Sequence, residues 1–169
     1  MSDDRLAFKA VGPIDVPYQQ ERGGRVITTD ACLAVFEEED GLGEAKGCYI
    51  FAMRSSRGAL IPWYVGKTTS GFRRECFTPD KLNKYHRALA MSGHGTPVLV
   101  FIVAPKGRGR PNAEGIDQLE THLIQLAAEK NKRLLNKTKK EGRWWFIQGF
   151  GQGRGRPNGG AAALTKMMK

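Results

Sequence analysis

From Gly47 onward, short apolar runs alternate with polar, glycine-bearing stretches, and each run carries its own period. Residues 48–53 and 60–65 are rich in aromatic and β-branched side chains. The polar stretch between them, Arg54, Ser55, Ser56, Arg57 and Gly58, has the composition of a hairpin loop. Pro79 suits the first turn of a helix over 79–91, in which Leu82, Tyr85, His86 and Leu89 share a face before Gly93 and Gly95 end it. Residues 97–104 (PVLVFIVA) show no polar alternation, the pattern of a strand covered on both faces. Asn112 can cap a helix reaching Lys130, with Ile116, Leu119, Leu123, Leu126 and Ala127 at helical spacing and Glu120 at the edge of their stripe. The order strand, strand, helix, strand, helix predicts a mixed α/β (α+β) fold, a small and mainly antiparallel sheet flanked by helices.

Either side of this region the periods fade. Residues 1–45 sustain none, although 12–18 (GPIDVPY) and 25–29 have the composition of short extended pieces, so this part is expected to be an acidic arm packing on the domain at 46–140. Residues 141–169 begin with an aromatic patch (RWWFIQGF) and become glycine-rich, and are expected to form a basic extension. A length of 169 residues suits one such domain with its arms. No apolar run approaches the roughly 20 residues of a membrane span. The start, MSDDRLAFKA, has neither the basic nor the apolar part of a secretory signal, so a cytoplasmic location without membrane attachment is expected. Cys32, Cys48 and Cys76 are scattered, with no CxxC pair, and read as reduced thiols, mostly buried.

Charge changes the picture more than composition does. The formal net charge is +10, but its sign is segregated. Up to Ala45 there are ten Asp and Glu against four Lys and Arg, including Glu37, Glu38, Glu39 and Asp40; from Lys130 to the end there are eleven Lys and Arg against Glu141 alone. Such a distribution suggests that the C-terminal part meets a phosphate backbone, whose contacts release counterions and make binding salt-dependent. Lys137, Lys139, Lys140 and Arg143 are the first candidates.

Phosphodiester cleavage needs a group to activate water, cations to stabilise charge on the phosphate oxygens and usually a metal ion. Tyr49 and Tyr64 lie on the two hairpin strands, and Gly66 marks a place where backbone or ligand can approach closely. Lys67, Arg73 and Arg74 follow at once. Glu120 can supply a hard oxygen ligand for Mg2+ or Mn2+, and a single ion is expected there. A phenol of pKa about 10 needs cationic neighbours to act as a base, and the lysine and arginines provide them.

Gly47-Cys48-Tyr49 and Tyr64-Val65-Gly66 resemble the two motifs that name the GIY-YIG nuclease family. YVGKTTSGFRR resembles the second motif with its downstream arginine, LETHLI the helix with the metal-binding glutamate, and LLN, ending at Asn136, the closing asparagine segment. The resemblance covers residues 47–136. It implies a three-stranded sheet packed by helices, one divalent ion on Glu120 and hydrolysis with a tyrosine as general base, either Tyr49 with Tyr64 as its partner or the reverse. The sequence departs from the family at Cys48 and in a longer gap between the tyrosines. The arginine falls on Arg73 by its place after Phe72, or on Arg74 by its distance from Tyr64. The family's histidine one turn after the arginine is missing, leaving Lys81, Tyr85 or His86 as stand-ins.

Arg108-Gly109-Arg110-Pro111 and Arg154-Gly155-Arg156-Pro157 resemble AT-hook cores, extended elements that place guanidinium groups in a narrow minor groove. The first is equally suited to a loop leading to the Asn112 cap. Trp144, Trp145 and Phe146 suit either base stacking or a strand closing the core. The expected partner is therefore nucleic acid, double-stranded DNA before RNA, and the expected activity endonucleolytic. A DNA- or RNA-binding module that keeps the fold without cutting is the alternative.

Overall fold

The computed structural model describes residues 6–107, 112–140, 156 and 159–168. The elements run β1 (Lys9–Asp15), β2 (Gln19–Glu21), β3 (Gly24–Val26), α1 (Asp30–Glu37), β4 (Gly47–Arg54), β5 (Leu60–Thr68), α2 (Phe72–Glu75), α3 (Pro79–Ser92), β6 (Thr96–Val103), α4 (Ala113–Lys130) and α5 (Gly159–Met168). The main sheet is antiparallel, in the order β1-β6-β4-β5, and β2 and β3 form a separate ribbon. It has four strands where three were expected, because part of the N-terminal arm pairs with β6.

The arm concealed its strand for a local reason. The register of β1 against β6 shifts between Val11 and Ile14, so its two inward residues stand three apart and the period of two disappears. Gly12 sits in that irregularity at φ +109, where an added Cβ would press on the Leu99 carbonyl oxygen. Only glycine meets both demands.

The two faces of the sheet have different covers. Tyr49, Phe51 and Met53 of β4 join Phe36 of α1, Phe72 of α2, Tyr85 and Leu89 of α3 and Leu99 and Phe101 of β6 in the larger core cluster. On the opposite face Val65 packs with Ile124, Ala127 and Leu134, under α4. A stripe at 116, 124 and 127 is the buried face of α4, so Leu126, expected in the core, is 43% exposed. Glu120 lies one turn from Ile116 and one from Ile124, within that stripe rather than beside it. Asn112 caps α4 as expected, its Oδ1 accepting from Gly115 N at 2.7 Å.

Among the described residues β5 has no strand on its outer side, yet its edge is not left open. Asn131 Nδ2 donates to Pro62 O, Leu135 N donates to Trp63 O, and Asn136 both accepts from Val65 N and donates to Val65 O. The segment after α4 thus satisfies the backbone groups that a further strand would take. Among the described residues no helix is long and apolar enough to cross a membrane.

Candidate active site

The hairpin register brings Tyr49, Phe51, Tyr64 and Gly66 to one face, since Tyr49 pairs with Gly66 and Phe51 with Tyr64. Glycine at 66 is a steric requirement. A Cβ there would lie inside 3.0 Å of Cζ, Oη and Cε1 of Tyr49, whose ring crosses the space a side chain would fill. Tyr49 is fully buried; its ring is 6.2 Å from that of Tyr64 and meets Phe72 edge-on. Tyr85 is also fully buried and stacks on Phe51 at 4.1 Å. The Tyr49 and Tyr85 hydroxyls sense each other electrostatically, yet neither has a hydrogen-bond partner of sound geometry among the described residues. Burial pushes both phenols well above the ordinary tyrosine range, with Tyr85 and Cys76 adding to it at Tyr49 and Cys76 and Tyr64 adding to it at Tyr85.

Tyr64 stands differently. At 8% exposure it reaches a cavity of about 360 Å³ whose lining also includes Asp80, Asn83, Lys84 and Arg87 of α3, Glu120 and Ile124 of α4, and the segment from Asn136 to Lys139. Because β5 is an edge strand, a residue from one face of the sheet and one from α4 on the other meet around its margin. Lys81 and Lys84 place their ammonium groups 5.6 and 5.2 Å from the centre of the Tyr64 ring. Burial raises the Tyr64 pKa, while Lys81 works in the opposite direction. Lys81 is itself fixed by Glu75 at 3.2 Å and Asp80 at 3.1 Å.

Glu120, its side chain 13% exposed, is held by two ammonium groups. Lys139 Nζ lies 2.8 Å and Lys67 Nζ 3.3 Å from Oε2. Both lysines also pair with Asp117, one turn earlier on α4, whose carboxyl Lys139 and Lys67 hold down to about 2. Lys139 reaches this position from a left-handed backbone, φ +64. Beneath them the Cys48 thiol is pushed up to about 12, chiefly by burial and then by Glu120. The donor set suits a hard ion that retains most of its water: one carboxylate opening on a polar cavity, with the Asn83 amide and Asp80 nearby. Among the described residues no group of three or more His, Cys, Asp and Glu is arranged to hold a metal. A cation at Glu120 therefore has to compete with Lys67 and Lys139 for its oxygens.

The other expected site residues divide. Neither Arg73 nor Arg74 lines the cavity. Arg73 lies 5.4 Å over the Phe36 ring and 3.6 Å from Glu44, drawn there because its amide donates to Gly43 O; Arg74 is exposed. Of the three stand-ins for the missing histidine, Lys81 reaches Tyr64. Tyr85 is a core ring, and Nε2 of His86 meets the backbone of Ile27. Asn136 lines the cavity but spends its amide on the β5 edge. Lys137 is exposed at the cavity, and Lys140 donates to Leu134 O. Cys48 and Cys76 are buried and Cys32 partly so, all three free. Arg156 is exposed, whereas Arg108, Arg110, Arg143, Arg154 and the aromatic patch at 144–146 lie outside the described residues.

Asp80, Asn83, Lys84, Arg87 and Asp117 were not anticipated. The first four recur at i, i+3, i+4 and i+7 opposite the Leu82, Tyr85 and Leu89 stripe, a signal available in the sequence but overshadowed by the apolar face. Comparison of the chain with models of known families, with curated proteins and with solved structures returns no match.

Proposed function

We propose that this chain is a metal-dependent endonuclease of the GIY-YIG type, hydrolysing phosphodiester bonds in DNA with one divalent ion. The observation that carries the reading is the cavity at the β5 margin, where a phenol from the hairpin and a carboxylate from α4 stand among lysines and an arginine. Phenol, carboxylate and cations are the three kinds of group that the chemistry requires.

Glu120 would hold Mg2+ or Mn2+, which when bound stabilises charge on the phosphate oxygens and lowers the pKa of water. Lys84, Arg87 and Lys137 bind and orient the phosphate. Tyr64 is the phenol that faces it, and takes the proton of the attacking water through its Oη. Lys81 favours the phenolate that this transfer needs, against the burial that opposes it. Tyr49 lies behind Tyr64, over Gly66, and acts by positioning the ring in front of it. The guanidinium role expected of Arg73 or Arg74 passes to Arg87, which lines the cavity.

A second reading draws on Lys67 and Lys139, whose hold on Glu120 would suit a module that binds nucleic acid without cutting it. Nicking of a supercoiled plasmid in Mg2+ separates the two. The nuclease reading expects nicks from the unaltered chain that EDTA abolishes and that Glu120→Gln loses while still shifting DNA in a gel. Binding without nicking in either Mg2+ or Mn2+ favours the module.

A further inference from the structure

The cavity opens along one face of α3, and that face continues its charge away from Glu120. Lys84 and Arg87 lie about 4.5 Å apart along the helix axis, with Asn83 beside them and Lys137 across the cavity. Lys84 is paired with Asp80, whereas Asn83, Arg87 and Lys137 are exposed. At the far end of α3 the two walls are tied together, because Arg133 Nη1 donates to Met91 O at 3.2 Å while its guanidinium lies 5.0 Å over the Trp63 ring. The chain beyond α1 has the opposite sign: Glu37, Glu38, Glu39, Asp40 and Glu44 are all exposed. A polyanion approaching the cavity is attracted from the α3 side and repelled from the α1 side.

We infer that the groove between α3 and the segment 131–139 is the track for the DNA backbone, with Lys84, Arg87 and Lys137 contacting the scissile phosphate and its neighbours along one strand and Arg133 bounding its far end. This rests on the nuclease reading and adds a location for the substrate. The track is built on the folded domain and takes Lys137 from the basic C-terminal part that the sequence favoured. Charge complementarity commits it to a phosphate backbone. Its side chains are long and flexible and offer no rigid set of donors to base edges, so contact here sets position and not sequence preference.

The test is binding of an uncut DNA duplex in EDTA across a range of salt concentrations, which needs no cleavage. The probe chains are the unaltered protein, the triple variant Lys84→Ala, Arg87→Ala, Lys137→Ala, and Arg22→Ala on the β2–β3 turn as a control. Each lost duplex phosphate contact flattens the plot of log affinity against log salt by about 0.9, so the triple variant should lose about 2 to 3 from the slope. Arg22→Ala should retain the full slope, and thermal melts should show all three chains folded. A triple variant with unchanged affinity and slope overturns the track and leaves the nuclease reading standing. An unaltered chain that neither binds the duplex nor nicks plasmid overturns both.

Discussion

Tyr49 and Tyr64 are one residue type in two environments, and the difference decides what each can do. Tyr49 Oη is buried among apolar side chains with no sound partner among the described residues, so removing it relieves a desolvation cost. Tyr49→Phe should leave the melting temperature unchanged or raise stability by about 1 kcal/mol. Tyr64→Phe, by contrast, should lower the cleavage rate by about 10² to 10⁴, the usual range for a lost general base, with binding retained. The pH profile carries the same distinction. The raised Tyr64 pKa leaves little phenolate at neutral pH. Because the active form is the deprotonated one, kcat/KM should climb about tenfold per pH unit from pH 7 towards 10. A plateau near pH 7 would assign the base elsewhere. Gly66 belongs to this scale too. Gly66→Ala forces a methyl into the Tyr49 ring and should cost about 1 to 3 kcal/mol, a loss that shrinks in a Tyr49→Ala background when both are followed by denaturant unfolding.

The β5 edge is held by side-chain and backbone groups that come after α4, and Asn136 contributes two of those bonds. Asn136→Ala leaves a buried amide and carbonyl of Val65 unpaired and should destabilise by on the order of 2 to 4 kcal/mol. Asn136→Asp, which keeps the acceptor and loses the donor, should fall between. Cleavage should drop only as far as the folded fraction does, since the asparagine amide is spent on the edge. The elements that sequence reasoning located were those with an undisturbed period: the hairpin, α3, β6 and α4 all lie close to their expected ranges. β1 escaped because its bulge separates Val11 from Ile14 by three. α1 escaped because its buried Ala31, Val35 and Phe36 run directly into four acidic residues. Glu120 was placed on the right helix but at the rim of its apolar stripe, when the buried line passes through it. The leucine positions pulled that reading aside, and only packing against β5 fixes which stripe faces inward.

Across the described fold, charges of opposite sign gather in different places. The acidic residues collect after α1, while the basic groove uses Lys84 and Arg87 of α3 and Lys137 and Lys139 of the segment after α4. The residues that meet at the cavity come from β5, α3, α4 and the segment at 136–139, so their convergence depends on β5 being an edge strand, a property of topology that no local pattern carries. The two arginines nearest Tyr64 in sequence do not line the cavity for the same reason: α2 carries Arg73 over Phe36 of α1 and leaves Arg74 exposed. Single-turnover cleavage of a labelled duplex in Mg2+, at enzyme concentrations that saturate binding, tests the joint action of Tyr64 and Glu120 most directly. The account predicts that Tyr64→Phe and Glu120→Gln each slow cleavage by at least about 10² while Arg73→Ala and Arg74→Ala stay near the unaltered rate. Cleavage that survives both cavity substitutions and is lost with either arginine would contradict it.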